Sequence, residues 1–496
     1  MIDVDLLRKN LEKYREVLRK RYMDETLLDE FLSLDTLWRS LKEQLDSIKC
    51  SQNVLTRYFK SPDKEKILND LKRCGYMPLI RDLEKQEAID REKLVYYAKL
   101  LKNTVKLLEE ELREVERKRR EALMKLPNWL AEDVPIGPDD SYNKPLKYWG
   151  IAKVLNPEKF KEETQRKVIN VEELDAKYIK DNEQLKNVVQ MLKGEIEPFY
   201  IDLDGALDFE LLNRGGLVPY VRIKEAKHHY DLTKELKVAD QELGGKIAGS
   251  RFYVEYERGL FMELKLIQFV LNLLKERTEG KYNYMIVKVP YMVKRWVEEK
   301  AAYYTAFEDT LYKIEGEDLF LNPTAEHPIA AMFKDKLFDD SELPLVVYGF
   351  STAFRKEAGS HGKDTKGIFR VHQFEKVEQY AFTPKERLME LFNFLVSNAE
   401  AIVKKLMLPY RIVYNSSGDM DKRVTRQWDL EVYYPAQERY RELHSFGTVE
   451  EWHARRLNIK YSKGYVNTIY ATALPIQRAM TALLENNLFE FHYNRL

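Results

Sequence analysis

Between Leu345 and Phe382 the chain places an unusual density of charge on strand-like sequence. Two β-prone runs, VVYGFSTAFRKE and IFRVHQFEKVEQYAF, flank the glycine- and lysine-rich loop AGSHGKDTKG, the pattern of a long hairpin. Arg355 and Glu357 are two residues apart on the first strand and share a face; Arg370, His372, Phe374, Lys376 and Glu378 keep the same period on the second. The chemistry such residues offer is charge pairing, with a ligand or with one another. Unpaired buried charge is costly, so the hairpin either holds partners for these groups or faces solvent with cross-strand ion pairs. On the residues alone both readings stand. His228 and His229, in EAKHHYDL, have no third ligand nearby in sequence and read as surface residues. Cys50 and Cys74 are too few for a disulfide framework or a four-cysteine zinc site, and suit a reducing compartment.

The elements that must position these groups belong to a chain of 496 residues with 82 basic and 82 acidic side chains, a formal charge of zero. At roughly 100 to 200 residues per domain the length allows about three domains. A mean hydropathy of −0.53, and no run of ~18 apolar residues, argue against a membrane span. The start, MIDVDLLRKN, lacks the apolar region of a signal peptide, so a cytoplasmic location is expected. Leu34, Trp38, Leu41, Leu45, Ile48 and Leu55 follow heptad spacing, with Gln52 in the seam; Leu94, Ala98, Leu101, Val105, Leu108, Leu112 and Val115 hold it without a miss. Between them Ser61-Pro62-Asp63 and Gly75 to Pro78 break the helix. An antiparallel hairpin of two long helices joined by a short reversal satisfies both seams, and a dimerising coiled coil remains the alternative. Residues 1–125 carry 29 basic and 25 acidic side chains, a net of +4, with the run Arg117-Lys118-Arg119-Arg120 the densest basic cluster; the rest of the chain is net −4. PNWLAEDVPIGPDD then reads as a linker, and residues 150–238 are mixed. Leu260, Leu264, Ile267, Leu271 and Leu274 give a further helical stripe, followed by the strand-like YNYMIVKVP.

The segment FRKEAGSHGKDTKGIFRVHQFEKVE resembles motif 2 of the class II aminoacyl-tRNA synthetases, in detail that of the seryl-tRNA synthetases and especially their archaeal form. PTAEHPIAAMF (Pro323 to Phe333) resembles that family's TxE serine loop. DLEVYYPAQERYRELHS and ARRLNIKY resemble its later strands, and ATALPIQRAMTALLENN (Ala471 to Asn487) its motif 3. The resemblance implies an α+β fold, with a catalytic domain built on an antiparallel sheet flanked by helices and an N-terminal antiparallel coiled-coil arm. It implies a tRNA-binding domain over 1–126, a linker and divergent segment over 127–238, and the catalytic domain over 239–496. The implied reaction converts L-serine and ATP to seryl-adenylate, then transfers serine to tRNA(Ser), and to tRNA(Sec) where an organism has one, in a homodimer without zinc or membrane.

By the same resemblance Arg355 and Arg478 are catalytic. Arg355 holds the α-phosphate and the attacking carboxylate, and Arg478 reaches the terminal phosphates. Lys356 also contacts ATP, Glu357 reads the adenine amino group, Val371 lines the nucleotide pocket and Phe374 stacks on the ring. Glu442 and Ser445, three apart in RELHS, bring the Mg²⁺ of ATP, and Thr324, Ala325, Glu326, Arg355, Glu378 and Thr472 bind serine. The chain departs from the family in two places. Tyr470 stands where the family carries asparagine, and Phe446-Gly447-Thr448-Val449 replaces a cysteine- and asparagine-containing stretch. These departures bear on amino-acid specificity more than on nucleotide binding. The alternatives are a paralogue that activates another small amino acid and a non-catalytic tRNA-binding relative.

Overall fold

The computed structural model describes residues 1–302, 310–357 and 364–496, so residues 358–363 of the hairpin loop lie outside the described residues. The chain divides into two compact units: residues 23–126, and residues 1–22 together with 127–496. The second unit opens with α1 (Val4–Lys9) and α2 (Leu11–Lys20). No described helix is long and apolar enough to cross a membrane.

Residues 23–126 form an arm. Its long helices are α3 (Thr26–Arg57) and, after α4 (Lys64–Cys74) and α5 (Met77–Glu84), α6 (Arg91–Met124). Glu30 pairs with Lys125, Asp35 with Arg119 and Lys49 with Glu109, so positions ascending α3 meet positions descending α6, and the pair is antiparallel. The two expected breaks yield a small helical head in place of one tight reversal. Asp63 caps α4 by accepting from the Lys66 amide, Gly75 ends it at φ +78°, and Pro78 enters the first turn of α5. Ile48, Leu55, Ile67, Leu71, Leu79, Leu83, Leu94 and Leu101 make the core of that head, with Ser51 rather than Gln52 buried in the seam. Cys50 and Cys74 are joined across α3 and α4, 24 residues apart. Closing a loop of this length restricts the unfolded arm by about 3 kcal/mol. The basic run is largely neutralised within the arm. Arg117 pairs with Glu114 and Glu121, Lys118 with Glu114, and Arg119 with the buried Asp35.

The larger unit carries β1 (Lys144–Trp149), β2 (Ala152–Val154), β3 (Lys167–Asn170), β4 (Leu217–Arg222), α7 (Glu257–Thr278), β5 (Asn283–Lys288), β6 (Leu345–Phe354), β7 (Gln373–Thr383), α8 (Leu388–Lys405), β8 (Tyr410–Tyr414), β9 (Arg426–Tyr434), β10 (Arg439–Glu450), β11 (Asn467–Pro475) and α9 (Ile476–Glu485). Eight of these strands form one sheet in the order β1-β8-β9-β10-β11-β7-β6-β5, antiparallel except where β5 meets β6. Apolar residues of α7, α8 and α9, among them Val270, Leu391, Leu395, Met480 and Leu483, pack with Val346, Val377, Leu430 and Val432 of the strands. Each such side chain contributes about 2 kcal/mol by leaving water. Residues 150–238 resolve into helices and a parallel sheet, β2-β4-β3; Val154 and Val218 of the sheet and Phe160 of the helix Pro157–Thr164 pack on Tyr433 and Tyr440 of β9 and β10.

The stripe expected on α7 is only half of what the helix presents. Met262, Leu266, Val270 and Leu274 are the buried positions, while Leu260, Phe261 and Leu264 are 46, 47 and 51% exposed. The helix is therefore apolar on two faces. On the same helix Glu263 lies in a carboxylate group with Glu255 and Glu375, bridged by the Gln477 amide. Burial, reinforced by the charges of Glu375 and Glu255, pushes the Glu263 carboxyl up to about 9. The folded chain thus keeps a proton that the unfolded chain releases near 4.5, and this contribution to stability is lost as pH rises from there through 9. We expect Glu263→Gln to raise the melting temperature relative to the native chain by an amount that grows from pH 6 to pH 9, read by calorimetry; a pH-independent difference would contradict the assignment.

Candidate active site

A cavity of about 710 Å³ opens on the face of β7, β10 and β11. On β7, Phe374, Lys376 and Glu378 alternate into it, and β6 delivers Arg355 where its ladder with β7 ends, the Arg355 amide donating to the His372 carbonyl. Two β-bulges aim the remaining strand residues. Glu431 faces Glu442 and Leu430 faces His444, leaving Leu443 as the extra residue on β10. That single insertion puts Glu442 and Ser445, three apart, on the same side. On β11 the register skips Ala473, which brings Thr472 opposite Glu378. The buried imidazole of His444 meets the carbonyl of the bulged Ala473 at 2.8 Å, tying the two irregularities together.

Of the residues singled out from the sequence, Thr324, Glu326, Arg355, Glu357, Val371, Phe374, Glu378, Glu442, Ser445, Tyr470, Thr472 and Arg478 line this cavity. Ala325 and Lys356 do not. Ala325 is buried at the start of the helix Glu326–Met332, and the Lys356 side chain is exposed. The Arg355 Nε donates to the Pro323 carbonyl at 3.2 Å, and its guanidinium lies 5.2 Å from the Phe374 ring centre. Burial and the nearby Arg478 charge lower its pKa, while Glu357, Glu378 and Glu442 oppose them. Arg478 donates to the Glu442 carbonyl and sits 3.4 Å from its carboxylate. Burial would raise the Glu442 pKa, yet the charges of Arg478 and Arg355 outweigh it and hold the group ionised. Glu357 adopts φ +52°, a conformation costly for a residue with a side chain, and pairs with Arg370.

Glu378 is 4% exposed. One of its oxygens accepts from the Thr324 hydroxyl at 3.0 Å, and its carboxylate pairs with Lys376. Its Oε2 is buried with no partner among the described residues. That carboxylate oxygen, on a strand whose register sets Thr472 opposite Glu378, suits a donor on a small ligand.

One lining residue, Arg423, has no signal in the strand periodicity. It comes from the loop after Asn415 and donates to Glu326 at 2.9 Å, to Asp421 at 2.6 Å and to the Ala301 carbonyl. Asp429, paired across the sheet with Ser445 and not in the lining, accepts from Asn415 and Gln427, and burial together with the Glu442 charge pushes it up to about 8. The carboxylate and hydroxyl of Glu442 and Ser445 on one side of β10 are a donor set that fits a hard divalent cation. The reading of His228 and His229 as surface residues needs correction. His229 is buried, and its Nδ1 meets Glu485 Oε1 at 2.7 Å. That oxygen also accepts from Gln437 and the His229 amide, and Oε2 from the Ala436 amide, so the group is a hydrogen-bonded tie between helices.

Comparison with known proteins places this geometry in a family. The tRNA synthetase class II core domain (G, H, P, S and T) matches residues 307–487, and the seryl-tRNA synthetase N-terminal domain matches residues 1–74. The serine--tRNA ligase of Picrophilus torridus is 36% identical over 494 residues, covering 98% of this chain and 94% of the relative; that of Thermococcus onnurineus is 34% identical over 498 residues, covering 99% and 93%. Among solved structures, seryl-tRNA synthetase from Pyrococcus horikoshii complexed with ATP superposes with a TM-score of 0.75 at 30% identity, covering 100% of this chain and 98% of that one. The cytoplasmic serine-tRNA ligase from Naegleria fowleri in complex with AMP gives 0.70 at 26% identity over the same shares. With a full-length match in sequence, the same fold and a cavity lined by the motif residues, the chain belongs to the seryl-tRNA synthetases, the class II serine--tRNA ligases.

Proposed function

We propose that the cavity activates L-serine with ATP as follows. An oxygen of the serine carboxylate bonds to the α-phosphorus, the bond from that phosphorus to the bridging oxygen breaks, and pyrophosphate leaves without any proton transfer. Arg355 grips the α-phosphate and the carboxylate together, as a planar fork suits. Arg478 takes the terminal phosphates, Glu357 accepts from the adenine amino group, Phe374 stacks on the base and Val371 lines its pocket. Glu442 and Ser445 would hold Mg²⁺, which when bound adds positive charge at the phosphates. Thr324, Glu326, Glu378 and Thr472 receive serine. A terminal ribose hydroxyl of tRNA(Ser) then bonds to the seryl carbonyl carbon, the bond from that carbon to the phosphate oxygen breaks, and AMP leaves as the hydroxyl proton passes to solvent or to the departing phosphate. No covalent protein nucleophile is required; positioning and electrostatics suffice.

The observation that carries this reading is the buried Glu378 carboxylate, one oxygen held by Thr324 and the other without a partner among the described residues, in a cavity that Arg355 and Arg478 also line. A site that pairs buried polar groups with a substrate hydroxyl rejects analogues lacking it. The experiment is ATP–pyrophosphate exchange across small amino acids. Serine is expected to support it, and Glu378→Ala to lower kcat/KM by at least about 100-fold. Exchange with alanine, glycine or threonine in place of serine would identify a paralogue, and exchange with none would identify a non-catalytic tRNA binder.

The arm is assigned to tRNA. Along α6, Lys99, Lys102 and Lys106 are exposed with no acidic residue between Glu92 and Glu109, and exposed Tyr96, Leu100 and Leu107 lie among them. Cations for phosphates interleaved with apolar contact surface suit an RNA backbone, which is recognised chiefly by shape and charge. The second apolar face of α7, together with the exposed Met285 and Ile286 of the edge strand β5, is assigned to a homodimer interface. Leu264→Asp is expected to convert a particle of twice the chain mass to a monomer in light scattering; an unchanged mass would move the interface elsewhere. A cytoplasmic location accords with this reading, and tRNA(Sec) is a further acceptor where it exists.

A further inference from the structure

Within the serine site proposed above, we infer that Tyr470, packed against Gly447 and beside Arg423, is the wall that limits the size of the amino-acid side chain this enzyme accepts. The inference rests on that reading of the cavity and adds a residue pair to it.

Tyr470 lies on β11 two residues from Thr472, so both project on the cavity face. Its neighbours across the sheet are Tyr380 on β7 and Gly447 on β10. A methyl group at Gly447 would fall 2.5 Å from Cε1 and 2.7 Å from Cζ of the Tyr470 ring, and 2.6 Å from Val424. The missing side chain is therefore the space that the ring fills, and no other residue fits at 447 while the ring stays there. On its other flank the Arg423 guanidinium lies 5.8 Å from the ring centre. Arg423 is itself fixed, to Glu326 at 2.9 Å and Asp421 at 2.6 Å. The tyrosine is 9% exposed. The ring thus meets the cavity as a rigid surface, held by a glycine behind it and by a salt-bridged arginine beside it. Arg423 acts as a positioning residue, since the same guanidinium orients the Glu326 carboxylate that also lines the pocket.

A hydrophobic or steric wall of this kind discriminates one extra methyl group by roughly 10- to 200-fold. Tyr470→Ala should therefore raise kcat/KM for threonine relative to serine by at least about 10-fold in ATP–pyrophosphate exchange. Tyr470→Phe, which keeps the ring, should leave the ratio within about threefold of the native enzyme. Gly447→Ala should push the ring into the cavity, raising the serine KM by about 10-fold or more while the ATP KM stays within about twofold. In the Tyr470→Ala background the same Gly447→Ala change should raise the serine KM clearly less, because only the contact with Val424 then remains. Thermal melting of each variant separates a folding loss from a pocket effect, and Arg423→Lys, which keeps charge but not the fork, should raise the serine KM while leaving the ATP KM unchanged. If Tyr470→Ala and the native enzyme share one amino-acid profile, or if Gly447→Ala acts equally in both backgrounds, the inference is overturned. Absence of serine-dependent exchange in the native enzyme would instead overturn the serine reading. The two failures are thereby distinct.

Discussion

Arg355→Ala is expected to lower kcat/KM for serine-dependent ATP–pyrophosphate exchange by at least about 10³-fold. Removing one neutral oxyanion donor from an enzyme costs about 10² to 10³ in rate, and Arg355 is more than one neutral donor. Its guanidinium is fixed by the Pro323 carbonyl and the Phe374 ring, in a cavity that also holds Glu357, Glu378 and Glu442. Without it those carboxylates would face a phosphate and a substrate carboxylate with much less opposing charge. Arg355→Lys keeps the charge and loses the planar fork, so it should recover part of the activity and remain about 10²-fold below the native enzyme. Retention of more than a tenth of the native activity by Arg355→Ala would remove this arginine from the centre of the reaction.

Replacing residues 23–126 with a short glycine-serine linker should leave exchange within about threefold of native and abolish serylation of tRNA, a fall of at least about 10³-fold. The ends of the larger unit are built to tolerate the cut. Tyr14 donates to the Pro127 carbonyl at 2.6 Å. Arg21, 1% exposed, donates to the carbonyls of Asn128, Trp129, Asp421 and Val424. Those bonds fasten the incoming and outgoing chain without help from the arm. A milder change tests the surface proposed for RNA. Charge reversal at Lys99, Lys102 and Lys106 should weaken tRNA binding and lower the slope of log affinity against log salt by roughly 0.9 per lost phosphate contact. Equal loss of exchange and serylation on arm removal would contradict the division of labour.

The hairpin and the arm were legible because both are written in local periodicity. Period two put Phe374, Lys376 and Glu378 on one face, and heptad spacing marked α3 and α6. Glu442 and Ser445 break period two and share a side only because Leu443 bulges, so their common direction was visible through the family resemblance and not through spacing. Arg423 was missed for a related reason. It comes from an irregular loop whose neighbours are fixed by contacts with Glu326 and Ala301, about a hundred residues or more away in sequence. His229 was misread because its partner, Glu485, lies at the end of a helix 256 residues later. The stripe on α7 was half right, since period 3.6 marks apolar faces but does not tell which one the molecule itself covers. Cys50 and Cys74 were counted as too few for a framework, and a single bond needs only two.

The strand order also sets a timetable for the growing chain. The 104 residues of the arm unit have all been made once Leu126 is added. The central strand β11, which lies between β10 and β7, ends at Pro475, and β1 has no partner until Tyr410–Tyr414 emerge. At about 5 to 20 residues per second, tens of seconds of synthesis separate the two events. During that interval a finished arm precedes strands whose apolar faces are uncovered, the stage at which aggregation competes with folding. Because Tyr470 and Thr472 sit on the last-made strand, the two residues proposed above for the amino-acid pocket are among the last to be placed, and a chain released before them has its arm sequence but lacks that side of the cavity.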